Sequence, residues 1–202
     1  MASLPIRNQN EDHLLTPKNC ALIVIDYQPI QVTSVASMDR QALVTNIASV
    51  AKTAKLYGLP VVLSTVNVKT GRNQDTIHQL KELLPETPSY DRTGINAWED
   101  KEFLEAVKAT GKKKLVMTAL WTEACLTFPA LDAIRDGFEV YIVVDAVGGT
   151  SKAAHDAAIV RMTQAGVKPI SWVQLMCELQ RDWNRIDTVP VFSNVLFAVE
   201  GH

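Results

Sequence analysis

Along this chain short continuous apolar runs alternate with stretches in which apolar residues recur every three or four positions. Cys20-Ala21-Leu22-Ile23-Val24-Ile25 is apolar throughout, and continuous rather than alternating apolarity marks a strand buried on both faces, as in a parallel sheet. The same reading predicts strands over Val61–Val66, introduced by Pro60, and over Lys114–Thr118, Phe138–Val144 and Val167–Val173. A helix is predicted over Asp39–Tyr57, where Leu43, Ile47, Val50, Ala51 and Ala54 share one face and Gly58 supplies the stop. Others are predicted over Thr76–Leu84, after the lead-in Ile95-Asn96-Ala97-Trp98 to Ala109, from an N-cap at Thr122 to Arg135-Asp136-Gly137, over Lys152–Ala165 and over Gln174–Trp183. Pro85 to Gly94 is a long connection rich in breakers, and long connections in compact domains are more often functional than short ones.

Strands alternating with helices imply right-handed βαβ units, hence an α/β domain with a parallel sheet covered on both faces. At 202 residues the chain fits a single domain over 1–202. Residues 1–19, polar and carrying Pro5 and Pro17, read as an irregular arm, and 184–202 read as an extended apolar tail. An apolar tail after the last helix calls for a surface to dock on, a neighbouring subunit being one candidate.

The formal net charge of -2 argues against a general nucleic-acid binder, which carries a basic excess. The basic run Lys112-Lys113-Lys114 reads as a solvated loop end. No stretch approaches the roughly 18 consecutive apolar residues of a membrane span. Met1 to Asn10 has neither an apolar signal core nor an Arg-rich amphipathic pattern. The three cysteines, Cys20, Cys125 and Cys177, are odd in number and far apart, which fits a reducing compartment, and so a cytoplasmic protein, rather than a disulfide framework. None belongs to a metal-ligand spacing, and neither a dinucleotide fingerprint nor a P-loop is present, so no metal and no cofactor is expected.

Chemistry gathers at the carboxyl ends of the predicted strands, where ligands bind in open α/β sheets. Asp26 closes the first apolar run, Arg92 lies in the long connection, and Cys125 follows the central strand. In the first turn of a helix capped by Thr122, Cys125 would face unpaired backbone N–H groups and the positive end of the dipole, both favouring a thiolate. Cys20 and Cys177 read as small packed hydrophobes. Pro129 offers no N–H to the Cys125 carbonyl, so the helix is kinked or begins later than Thr122.

Ile23-Val24-Ile25-Asp26-Tyr27-Gln28, Arg92-Thr93-Gly94-Ile95-Asn96-Ala97-Trp98, Trp121-Thr122-Glu123-Ala124-Cys125-Leu126-Thr127-Phe128-Pro129-Ala130-Leu131 and Cys177-Glu178-Leu179-Gln180-Arg181-Asp182-Trp183 together resemble the isochorismatase-like cysteine hydrolases, and within them the YcaC-like group. The resemblance spans residue 20 to about 195 and implies a six-stranded parallel sheet in the order 3-2-1-4-5-6. It implies a triad of Asp26, Arg92 and Cys125, and a cis Leu120–Trp121 bond. That bond would turn the Trp121 N–H toward the substrate, beside the Cys125 N–H, as an oxyanion hole. It also implies a homo-oligomer, with an octamer as one candidate size. Trp121 and Trp98 become candidate walls of the pocket, and Gln28 a candidate to orient Asp26 or substrate.

Two departures narrow the activity. Many members of the family carry lysine where this chain has Arg92, and arginine cannot shuttle a proton, so its role is electrostatic and positional. Nicotinamidases of the superfamily bind metal through Asp-x-His after the second strand, whereas Ser64-Thr65-Val66-Asn67-Val68-Lys69 has no histidine. The expected function is therefore cysteine-dependent hydrolysis of a small amide, imide or related C–N compound through a thioester. The alternative is a catalytically silent binding or oligomeric scaffold on the same fold.

Overall fold

Six parallel strands form one sheet in the computed structural model of the chain, which describes residues 7–199. They are β1 (Cys20–Ile25), β2 (Val61–Val66), β3 (Ser89–Arg92), β4 (Lys114–Ala119), β5 (Glu139–Val143) and β6 (Lys168–Ile170), in the order β3-β2-β1-β4-β5-β6. The sheet is the six-stranded one that the resemblance implies. Five of its strands follow from apolar patterning. β3 does not, because Ser-Tyr-Asp-Arg is polar and sits at the sheet edge, pairing only with β2. Edge strands with polar and charged residues lack the apolar signature of central ones.

Alternate residues of β1 feed two separate cores: Cys20, Leu22 and Val24 pack on one face, and Ala21, Ile23 and Ile25 on the other. The first face is covered by α2 (Arg40–Leu56), α3 (His78–Leu83), α7 (Trp172–Gln180) and α8 (Val189–Val199). The second is covered by α4 (Lys101–Ala109), α5 (Thr127–Arg135) and α6 (Lys152–Gln164). A short α1 (Pro29–Ser34), begun by Pro29, follows β1 and has no counterpart in the predicted elements. Asp39, Asp100, Ser151 and Ser171 cap α2, α4, α6 and α7 through side-chain oxygens. The helix expected to follow Ile95-Asn96-Ala97-Trp98 and run to Ala109 is a 3-10 turn, Ala97–Glu99, then α4 restarted by the Asp100 cap.

Expectations about the C-terminal segments and the basic run are corrected. The tail is helical over Val189–Val199, with Pro190 in the first turn, where its missing N–H costs nothing. Phe192, Val195 and Leu196 are its buried face, at the spacing of a helix rather than a strand. The last strand ends at Ile170, and α7 ends at Gln180, three residues short of Trp183, with Arg181 capping it in the left-handed region (φ 62). Lys114 is not a solvated loop end: it is buried, and its ammonium donates to the Asp12 and Leu14 carbonyls, tying the arm across the amino end of the sheet. Residues 7–19 of the arm carry neither helix nor strand, while Met1–Ile6 and Glu200–His202, including Pro5, lie outside the described residues. No described helix is long and apolar enough to cross a membrane.

Phe192 is 1% exposed and stacks edge-on with Trp183 at 5.0 Å. Replacing it with alanine is expected to lower stability by about 3–5 kcal/mol, the usual cost of truncating a buried aromatic. A loss below about 1 kcal/mol in denaturant unfolding would mean that α8 is not docked as described.

Candidate active site

Asp26 leaves the end of β1 with φ 61, a left-handed conformation uncommon for a residue with a side chain. Its N–H donates to the Ser64 carbonyl at 3.0 Å, so the backbone still follows β2 while the side chain turns over the sheet end. The carboxylate is fully buried and meets Arg92 end-on. Nη1 donates to Oδ1 at 2.8 Å and Nη2 to Oδ2 at 2.7 Å. Arg92 is the last residue of β3 rather than part of a loop, and its guanidinium reaches across β2. On the way Nη1 also donates to Ser64 Oγ (3.0 Å) and the Thr65 carbonyl (3.1 Å), and Nη2 to the Ile95 carbonyl (3.0 Å). Such a fork-to-fork pair fixes both angle and distance, which a lysine cannot do.

Cys125 comes from the other side of β1. β4 runs beside β1 to Ala119, the Leu120–Trp121 peptide is cis as the resemblance implies, and residues Thr122–Leu126 form a π-helical turn before α5 begins at Thr127. The Leu126 N–H reaches back five residues to the Trp121 carbonyl at 3.2 Å. Pro129 therefore falls at the third position of α5, where its absent N–H has no partner to lose. The helix indeed starts later than Thr122, and Thr122 is not its cap. Leu126 stands at the capping position of α5 and Trp121 at that of the π turn, and the Thr122 hydroxyl instead bonds His155 Nδ1 at 2.9 Å. π turns of this kind recur at functional sites.

The thiol hydrogen-bonds to the Asp26 carboxylate and faces the Trp121 backbone N–H. Burial and then the neighbouring Asp26 charge push Cys125 up to about 12, with Arg92 and the Trp121 N–H pulling the other way. The expectation of a resting thiolate is corrected: the sulfur is buried beside a carboxylate, and both effects outweigh the pull of Arg92 and the Trp121 N–H. Burial also pushes the Asp26 carboxyl up, against the opposing pull of Arg92 and the thiol. Burial opposes the charge on Arg92, but the Asp26 carboxylate outweighs it and holds the guanidinium protonated. The trio is Arg⁺, Asp⁻ and a neutral thiol, with no net charge. Losing a proton to water would leave a buried negative charge. Passing it from Sγ to Asp26 would not.

The structure places the remaining candidates as follows. Trp121 is half-buried, and its indole N–H donates to Ser34 Oγ at 2.8 Å, which pins the ring to α1. Gln28 is not aimed at Asp26 or at a pocket. Its amide bonds the Val66 and Gln74 carbonyls (3.0 and 2.6 Å) and the Val66 N–H (3.0 Å), stapling β2 to the following loop. Trp98 is buried edge-on against Phe103 and Phe138, and its indole N–H donates to Asp136 at the far end of α5, so packing is the role the structure gives it. Cys177 is exposed rather than packed. Ser64, the hydroxyl under Arg92, was not singled out by the sequence reading; the signal was a polar residue inside a buried apolar strand. Among the described residues no three potential metal ligands come together.

An Isochorismatase domain model matches residues 20–174. The Escherichia coli protein described as probable hydrolase YcaC is 38% identical over 183 residues, covering 89% of this chain and 88% of its own. Two solved structures align with a TM-score of 0.83 and 34% identity. One is YcaC from Pseudomonas aeruginosa with hexane-2,5-diol and covalent acrylamide, covering 93% of this chain and 98% of that one. The other is the E. coli YcaC structure, described as an octameric hydrolase of unknown specificity, covering 94% and 97%.

Replacing Asp26 with asparagine removes a charge that raises the thiol, so the pH at which Cys125 becomes half alkylated by iodoacetamide is expected to fall below that of wild type. Peptide mass spectrometry resolves Cys125 from the exposed Cys177. An unchanged or higher midpoint would show that Asp26 does not act on the sulfur.

Proposed function

Because the chain belongs to the isochorismatase family, we propose that it is a cysteine-dependent hydrolase of a small amide, imide or related C–N compound. The observation that carries this reading is the thiol bonded to a carboxylate that is itself clamped by a buried guanidinium. Asp26 takes the proton from Cys125, and the thiolate attacks the substrate carbonyl carbon. The Trp121 and Cys125 N–H groups hold the oxyanion of the tetrahedral intermediate. As the intermediate collapses, the C–N bond breaks and the leaving nitrogen receives the proton from Asp26, leaving a thioester. Asp26 then takes a proton from water, whose oxygen attacks the thioester, and the acid departs as the proton returns to sulfur. Arg92 moves no proton. It orients Asp26 and supplies the positive charge that the thiolate faces, while Trp121 forms part of the pocket wall.

Acrylamide, covalently attached in the P. aeruginosa relative, is an electrophile that carries an amide, and its capture there supports a reactive nucleophile in this group. The reading places the protein in the cytoplasm, where a thiol stays reduced. It also makes the protein a homo-oligomer, as the E. coli relative is, with Trp183, Ile186, Val191 and Phe197 exposed along α8 and its approach as the candidate contact.

A panel of amides, imides and hydroxamates should yield a substrate that wild type hydrolyses and Cys125→Ser does not. Arg92→Lys should keep more of that activity than Arg92→Ala, which leaves Asp26 buried without its partner. No turnover across the panel, with no acrylamide adduct on Cys125 in a Cys177→Ala background, would favour the silent scaffold.

Val191→Asp with Phe197→Asp should reduce the mass measured by light scattering while leaving the far-UV circular dichroism intact. Deleting the tail is a poorer test, because Phe192, Val195 and Leu196 belong to the core. An unchanged mass would take α8 out of the interface.

A further inference from the structure

Two side chains of the nucleophile's own turn point to groups that the reaction does not use. The Thr122 N–H donates to the Gly148 carbonyl at 2.9 Å, its hydroxyl bonds His155 Nδ1 at 2.9 Å, and its carbonyl accepts from Thr127 Oγ1 at 2.6 Å. Glu123 reaches the segment leading into α6. Its Oε1 accepts from the Thr150 N–H (2.9 Å) and hydroxyl (2.6 Å), while Oε2 is buried and takes no hydrogen bond. A carboxylate oxygen held in that state needs a tightly shaped site to keep it there.

Gly149 provides that shape. Its backbone is not in the left-handed region, so conformation alone does not call for glycine here. Space does: a Cβ at 149 would lie 2.5 Å from Glu123 Oε2 and 3.1 Å from His155 Cβ. The same residue accepts from the Ala36 N–H at 3.0 Å and donates to Ser37 Oγ at 2.9 Å. One point thus joins the α1–α2 connection, the nucleophile turn and the start of α6.

We propose that Glu123 and His155, with Gly149 as the cradle that admits the carboxylate, are positioning residues that hold the turn 122–126 so that Cys125 stays in register with Asp26 and the Trp121 N–H. None of them touches the reacting atoms. They act by fixing a π turn, which lacks the regular four-residue hydrogen bonds that stiffen an α-helix. The proposal rests on the reading of Cys125 as nucleophile, but its consequence for the thiol can be measured without a substrate.

The test is a double-mutant cycle on the rate of Cys125 alkylation by iodoacetamide, read by peptide mass. Glu123→Ala and Gly149→Ala should each change that rate, on the order of tenfold, since small misplacements at a reacting centre have effects of this size or larger. Alanine at 149 evicts the same carboxylate that alanine at 123 deletes, so the double variant should match either single one rather than show their product. Glu123→Gln keeps an acceptor for Thr150 and should restore most of the wild-type rate, and His155→Ala should move the rate in the same direction as Glu123→Ala. If Glu123→Ala does not fold, Glu123→Asp draws the carboxylate back from position 149 and gives the same cycle. On a hydrolysed substrate, kcat should fall with KM held. Wild-type rates in the single variants, or independent effects that multiply in the double, would overturn the proposal. Coupled alkylation rates in a protein that hydrolyses nothing would overturn the hydrolase reading and leave this one standing.

Discussion

The buried pair between Asp26 and Arg92 is the constraint on which the rest of the site depends. A carboxylate and a guanidinium taken out of water each carry a desolvation cost of several kcal/mol, offset only when the geometry is good and the remaining hydrogen-bonding groups find partners. Here both carboxylate oxygens are engaged end-on, and Ser64, Thr65 and Ile95 take further guanidinium N–H groups, so that of the guanidinium nitrogens only the buried Nε lacks a partner among the described residues. Losing either partner would strand the other charge, at about 3–5 kcal/mol. This explains two local features that cost stability on their own. One is the left-handed backbone at Asp26, and the other is a short polar strand at the sheet edge, where it delivers Arg92 over β2.

The same pair decides the chemistry open to Cys125. A thiol beside a carboxylate in a buried setting does not ionise to water near neutral pH, and the pull of Arg92 does not reverse that. Proton transfer within the trio is different in kind. With the proton on Asp26 and the negative charge on sulfur, the buried net charge is still zero, and the guanidinium faces a thiolate instead of a carboxylate. In the proposed cycle, activation comes from moving a proton inside a neutral cluster rather than from holding a standing thiolate at the end of a helix.

Much of this was legible in the sequence, and the failures have physical causes. Continuous apolar runs gave the strands from β1 to β6 except β3, which is polar and paired on one side only. Asp26, Arg92 and Cys125 drew notice at strand ends and in a breaker-rich connection, the resemblance grouped them as a triad, and the structure brings them together. The breakers around Arg92 hid that its backbone is a strand. Thr122 has the side chain of an N-cap, and only the tertiary partner His155 decides that its hydroxyl goes elsewhere. Pro129 carried the correct signal about the helix start. Trp98 and Gln28 lie beside site residues in sequence, yet their polar atoms bond Asp136 and the Val66 backbone, contacts with no local signature. The apolar tail showed helical spacing at Phe192, Val195 and Leu196, but Val189-Pro190 resembles an extended entry until proline is read as a first-turn residue.

Arginine in place of lysine follows the same logic to its end. A lysine could lend its own proton to the cycle and would sit beside Asp26 as a movable point charge. Arg92 stays charged throughout and is locked by five hydrogen bonds to Asp26, Ser64, Thr65 and Ile95. Every proton in the proposed cycle must then pass through the single carboxylate of Asp26, outward from sulfur to the leaving nitrogen and back from water to sulfur. A base used in both directions works best when its two protonation states are close in energy. Burial raises Asp26 against the pull of Arg92 and the thiol, which makes its protonated form easier to reach than that of an ordinary carboxylate. The rigidity of the clamp and the versatility asked of the carboxylate are two sides of the same substitution.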